Sequence, residues 1–152
     1  MIGEAEHLTA TDFSDEMVTT SKERLKDLGN VTVEKADCFD LPYSDCSFDT
    51  IFMANLLHDI PEPQKAVAES KRVLKKDGRI LVISFTTEGM TLFNKFVMIY
   101  RYLKVFGKPS PTAQKLTVQK TQAMLQVCGF NIEQAKLIGN KSKAIFIKAT
   151  NN

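Results

Sequence analysis

Three places in the sequence carry polar side chains directly after a short run of strand-forming residues. Asp12 follows His7-Leu8-Thr9-Ala10-Thr11, Asp37 follows Val31-Thr32-Val33-Glu34-Lys35-Ala36, and Asn55, His58 and Asp59 follow Thr50-Ile51-Phe52-Met53-Ala54. An ionised carboxylate is a pure hydrogen-bond acceptor, and a histidine titrates near neutrality and can take a proton as a general base. In open α/β sheets, ligands bind outside the carboxyl ends of the strands, so residues 55–59 read as the floor of a site. Each residue also has a plainer reading. An Asp ahead of a helix is commonly a turn or capping residue. Asp37 and Asp40 form an Asp-x-x-Asp turn of the kind that satisfies its own backbone. For His58 a loop histidine hydrogen-bonded to backbone is the preferred account over a general base. Glu62 and Pro63 are helix-start chemistry, and Cys38 and Cys46 lack the spacing of a metal pair.

The elements that must position these groups alternate along the chain. A strand at His7–Asp12 leads into a helix capped by Ser14, with Asp15 and Glu16 at its positive end and Met17, Ser21, Leu25 and Leu28 on one face up to the stop at Gly29. A second strand spans Val31–Lys35. The third enters at Phe48-Asp49, and its apolar run Thr50–Ala54 predicts burial on both faces. Pro63 opens the next helix, with Ala66, Val67, Ser70, Val73 and Leu74 inward and Asp77-Gly78 ending it. Arg79–Phe85 is the fourth strand. This order predicts parallel pairing with right-handed crossovers. An apolar helix, Thr91–Phe106, is then broken off around Lys108–Pro111, read as a loop inside one domain. A helix at Thr117–Cys128 and an antiparallel hairpin of Phe130–Ile138 with Ser142–Ala149 close the chain.

The totals set bounds. The chain has 152 residues, 43% hydrophobic and 25% charged, within the range of one ordinary globular domain. Twenty basic and eighteen acidic residues give a net charge of +2, so no strong field points to nucleic acid. The three cysteines are scattered and read as reduced thiols. The start has no secretory character, and Leu92–Phe106, interrupted by Asn94, Lys95, Arg101 and Lys104, is too short to span a bilayer. The expectation is a soluble cytoplasmic protein without a membrane partner. The face of Leu92, Phe93, Phe96, Val97, Ile99, Tyr100 and Leu103 is apolar around more than half the helix, which admits a lid, a dimer surface or plain core. Lys104, Lys108, Lys115 and Lys120 read as a solvated face.

Three segments together resemble a class I S-adenosylmethionine-dependent methyltransferase, most nearly the small-molecule enzymes of the ubiquinone/menaquinone type. They are Thr9-Ala10-Thr11-Asp12-Phe13-Ser14, then Ala36-Asp37-Cys38-Phe39-Asp40-Leu41-Pro42 with Asp45 and Ser47-Phe48-Asp49, then Leu57-His58-Asp59-Ile60-Pro61-Glu62-Pro63 running into Arg72-Val73-Leu74-Lys75-Lys76-Asp77-Gly78-Arg79. The resemblance implies a Rossmann-like α/β fold over residues 1–152, with a mostly parallel twisted sheet and a reversed last strand. It implies that Asp12 accepts hydrogen bonds from both ribose hydroxyls of S-adenosylmethionine, that Phe13 lies against the adenine, and that Asp37 and the Cys38 N–H meet its polar edge. Asn55, Leu56 and His58 would border the methionine end and a small-molecule methyl acceptor. No metal is required.

The family opens with a strand, a glycine-rich turn and a helix, and none of the seven glycines here forms a G-x-G. The chain therefore reads as lacking that opening, whose strand is central in the family's sheet. Three outcomes stay open: the sheet closes up, another chain fills the slot, or the sheet is split. A second function class follows from the same gap, a catalytically inactive interaction or dimerisation module that pairs through the helix Leu92–Phe106 or through exposed sheet edges. A nicotinamide- or flavin-binding domain is the weakest reading, because it too needs the glycine turn.

Overall fold

The computed structural model describes residues 5–107 and 113–152. The break read at Lys108–Pro111, with Lys108 itself, lies outside the described residues. The chain divides into two compact units, Met1–Pro42 and Tyr43–Asn152. Each has its own sheet.

In the first unit, β1 (Leu8–Asp12) pairs in parallel with β2 (Val31–Lys35), from Leu8 opposite Val31 to Asp12 opposite Lys35. The connecting helix α1 (Asp15–Leu25) starts at Ser14, whose hydroxyl accepts from the Met17 N–H, and Asp15 and Glu16 occupy its first turn. Its buried residue is Val18, with Ser21 and Leu25 part-buried, while Met17 and Leu28 are exposed. Of the expected face Ser21 and Leu25 are thus turned inward, while the β-branched Val18 takes the place of Met17 and Leu28 lies beyond the helix. The helix also stops at Leu25, four residues before Gly29.

The second unit holds a four-stranded mixed sheet in the order β3-β4-β6-β5, formed by β3 (Phe48–Ala54), β4 (Leu74–Thr86), β5 (Phe130–Ile138) and β6 (Lys143–Asn151). The β3–β4 ladder is parallel, and β6 is antiparallel to both β4 and β5, which is the reversed closing hairpin the sequence predicts. The helices α2 (Pro63–Val73) and α4 (Val118–Val127) pack on β4 and on β5–β6 respectively, and on each other. The first buries Ala66, Val67, Ser70 and Val73 as expected from their spacing.

Two expectations need correction here. β3 is not buried on both faces: Met53 is buried, but Phe52 on the opposite face is 47% exposed. Along β4 and β6 burial alternates in the same way, with Ile80, Val82, Ser84, Ile145, Ile147 and Ala149 buried and the residues between them more open. A sheet with helices on one face reads as an alternation, and an apolar run cannot reveal which face is uncovered. β4 also begins at Leu74, not at Arg79. The register jumps from Phe48 opposite Leu74 to Thr50 opposite Arg79, and the extra residues bulge through Asp77 at φ 60°. A Cβ on Gly78 would stand 2.8 Å from the Lys75 carbonyl oxygen, so glycine is required for the close approach.

Among the described residues no ladder joins the β1–β2 sheet to the four-stranded one, so the strands have not closed up into one sheet. The remaining helix, α3 (Leu92–Phe106), is capped by Thr91, whose hydroxyl accepts from the Asn94 N–H. It has no extensive packing against any other helix or strand among the described residues.

Candidate functional site

The first unit brings Asp12 and Asp37 to one edge. The ladder sets Asp12 opposite Lys35, the Ala36 N–H donates to the Asp12 carbonyl at 3.1 Å, and Asp37 follows directly. Both carboxylates thus stand at the carboxyl ends of neighbouring parallel strands. The Ser14 N–H donates to Asp12 Oδ1 at 2.9 Å, and the Phe39 N–H donates to Asp37 Oδ1 at 2.9 Å. Each Asp therefore closes its own turn, as the plainer reading has it. That turn uses one of roughly four acceptor positions on a carboxylate and fixes the group's direction, so it does not exclude a ligand.

Phe13 is 68% exposed, with Lys35 Nζ 5.7 Å from its ring centroid. Lys35 also pairs with Asp15 at 2.8 Å. One aromatic face is therefore open to a flat apolar group. Cys38 is half-buried, and burial first, then the neighbouring Asp37 carboxylate, push its thiol pKa up. It stays protonated at neutral pH, a poor nucleophile or metal ligand. An exposed aromatic ring between two directed carboxylates on the chain fits the adenosine half of S-adenosylmethionine.

The second unit positions Asn55, Leu56 and His58. Asn55 ends β3 at φ 56°, a conformation that Asn tolerates better than most residues. Its N–H donates to the Ile83 carbonyl at 2.8 Å, and its Oδ1 accepts from the Phe85 N–H at 3.0 Å. Asn55 thereby continues the β3–β4 ladder for one more residue through its side chain. Leu56 packs against the core cluster and Leu57 is fully buried within it. His58 Nδ1 lies 2.9 Å from the Ser84 hydroxyl, and its carbonyl accepts from the Gln114 N–H at 2.7 Å. The imidazole is therefore tied to a side chain and not, as preferred from sequence, to backbone.

Ser84 was not among the residues singled out from the sequence. It is fully buried near the carboxyl end of β4, and its signal is a lone hydroxyl inside the run Ile80-Leu81-Val82-Ile83-Ser84-Phe85. A buried hydroxyl needs a partner, and here it finds His58. Substituting Ser84 by Ala should cost about 1 kcal/mol in urea unfolding and release the ring, visible as altered His58 imidazole NMR shifts. Unchanged shifts would show that the loop alone holds His58.

Other residues of the resembling segments are architectural. The Arg72 guanidinium donates to the Tyr43 carbonyl at 2.8 Å and pairs with Asp45 at 2.7 Å and Glu69 at 2.6 Å, fastening residues 43–45 to α2. These acceptors, Glu69 first, raise its pKa further. Glu62 and Pro63 start α2, with Pro63 in its first turn.

The α/β elements, the reversed hairpin and the acidic strand ends agree with the likeness to the class I S-adenosylmethionine-dependent methyltransferases. A family profile described as "Methyltransferase domain" matches residues 2–82, more than half of the 152-residue chain, and the chain belongs to that family. It is 34% identical over 105 residues to the ubiquinone/menaquinone biosynthesis C-methyltransferase UbiE of Psychromonas ingrahamii, covering 67% of this chain and 42% of that protein. Over 94 residues it is 36% identical to the demethylmenaquinone methyltransferase of Clavibacter sepedonicus, covering 62% and 38%. Among solved structures, a SAM-dependent methyltransferase from Aquifex aeolicus aligns with a TM-score of 0.75 and 26% identity, over 100% of this chain and 72% of that one. The chain thus spans less than half the length of these two curated relatives.

Proposed function

We propose that this chain binds S-adenosylmethionine and serves methyl transfer to a small, apolar acceptor of the hydroxylated-aromatic kind from which quinones are made. The observation that carries the reading is the pair of directed carboxylates, Asp12 and Asp37, at the ends of adjacent parallel strands, with the exposed ring of Phe13 beside the first. Family membership supports the cofactor, and the names of the relatives support the acceptor class. The reading takes residues 1–152 as one domain acting in the cytoplasm, and includes pairing of two copies at an open strand edge.

In this reading Asp12 holds the ribose hydroxyls, Phe13 the adenine, and Asp37 with the Cys38 N–H the adenine's polar edge. Asn55 and Leu56 border the methionine end. The sulfonium supplies an already activated methyl group for in-line displacement, so the chain's own task is alignment and exclusion of water. His58 is the candidate to take the acceptor's proton. In the tautomer in which Nδ1–H donates to Ser84, Nε2 carries the lone pair that can do so.

Titration calorimetry with S-adenosylmethionine, with NADH as control, tests the reading. Micromolar binding of the first alone, followed by transfer of labelled methyl to a demethylated quinol, is the expected result. No binding up to millimolar concentration would overturn it in favour of the inactive interaction module. Equilibrium sedimentation at the monomer mass would remove the pairing.

A further inference from the structure

α3 is oriented opposite to an ordinary surface helix. Its part-buried side chains are Asn94, Lys95 and Met98, whereas Leu92, Phe93 and Phe96 are 84%, 75% and 72% exposed. At about 100° per residue, Ile99, Leu92, Leu103, Phe96, Tyr100 and Phe93 share an arc of roughly 120°, and all six are exposed. The chain has turned a continuous apolar stripe outward. A face of this size on a water-soluble surface marks an interaction site.

The charges select the occupant. Lys95 and Lys104 flank the apolar arc, Arg101 lies beyond it, and Leu92–Phe106 contains no Asp or Glu. Two copies meeting through this face would bring like charges together with no counter-charge on either helix, so self-pairing is disfavoured. An anionic lipid surface satisfies both parts of the pattern, because the apolar side chains enter the acyl boundary while the cations meet headgroups. Tyr100 and Phe93, at one border of the arc, are residue types that suit the interface. The helix has 15 residues, about 22 Å of rise, against a hydrocarbon core of about 30 Å. No described helix is long and apolar enough to cross a membrane, so α3 would lie along the surface.

We propose that α3 is an interfacial anchor that lays its Leu92, Phe96 and Leu103 face into an anionic lipid leaflet. The inference goes beyond the methyl-transfer reading and stands without it. If both hold, the anchor brings the chain to the layer into which an apolar acceptor partitions.

Co-sedimentation of the chain with phosphatidylcholine vesicles, with and without phosphatidylglycerol, is the test. Binding should require the anionic lipid and weaken as salt is raised. The double variant Phe96→Ser/Leu103→Ser should lower the bound fraction at least about tenfold, and Arg101→Glu/Lys104→Glu should do the same by reversing the charge. All four side chains are exposed, so circular dichroism and melting temperature should be unchanged, which separates lost binding from lost folding. No sedimentation with anionic vesicles, or equal binding by the variants, would overturn the proposal. So would a dimer in solution that Phe96→Ser/Leu103→Ser dissociates, since the face would then belong to a second copy. S-adenosylmethionine titration of the same samples reports independently on the methyltransferase reading.

Discussion

Asp12→Ala should weaken S-adenosylmethionine binding by at least about 100-fold. A hydrogen bond to a charged acceptor contributes about 1.5–3 kcal/mol, and a ribose diol offers two donors to one carboxylate. Losing both exceeds the roughly 2.7 kcal/mol that corresponds to 100-fold. The same carboxylate accepts from the Ser14 N–H at 2.9 Å, so alanine also removes the turn at the head of α1. Asp12→Asn separates the two roles, because an amide oxygen can keep that turn while the charge is gone. Calorimetry on both variants should show alanine near the detection limit and asparagine between it and the parent. Unchanged affinity in Asp12→Ala would reduce the residue to a turn former.

The second large effect concerns stability. Leu57→Ala should cost about 3 kcal/mol and lower the melting temperature by roughly 10 °C. Leu57 is a fully buried member of the core cluster although it belongs to the loop that carries the site. Its neighbours are Asn55, held at positive φ by the Ile83 carbonyl and the Phe85 N–H, and His58, held by Ser84 and Gln114. The loop is therefore held at Asn55 and His58 by hydrogen bonds and at Leu57 by full burial, with Leu56 packed on the same cluster. Removing the apolar pin leaves a cavity that the hydrogen-bonded flanks cannot collapse into. A loss below about 1 kcal/mol in urea unfolding would mean that the loop relaxes freely and that its geometry is not imposed by the core.

Local chemistry was legible wherever it acts over a few residues. The cap at Ser14, the limits Val31–Lys35, the buried stripe of α2 and the closing hairpin follow from spacing and turn residues. What depends on a distant element was not. Phe52 is exposed because no helix of its unit covers that face of β3, and nothing within Thr50–Ala54 carries that information. For α3 the sequence left lid, dimer surface and core open, and only the structure shows that its apolar arc is turned outward. At the site, Asp12 and Asp37 were legible as strand-end carboxylates. Ser84 was not, since a buried hydroxyl acquires meaning only through its partner 26 residues away.

The hydrophobic core cluster lies wholly within Tyr43–Asn152, and in Met1–Pro42 the one buried apolar side chain among the described residues is Val18. A two-stranded parallel sheet with one buried anchor has little to resist local opening. Its amides should exchange with solvent deuterium well before those of β4 and β6. The carboxylates proposed for the adenosine half of the cofactor, Asp12 and Asp37, stand at the carboxyl end of this small sheet. Binding would then be coupled to ordering, with a heat-capacity decrease larger than the contact area alone accounts for. Exchange mass spectrometry should accordingly show S-adenosylmethionine slowing exchange in residues 8–12 and 31–35 far more than in the four-stranded sheet. Cofactor affinity in this chain would be governed as much by how readily that small sheet forms as by the groups it presents.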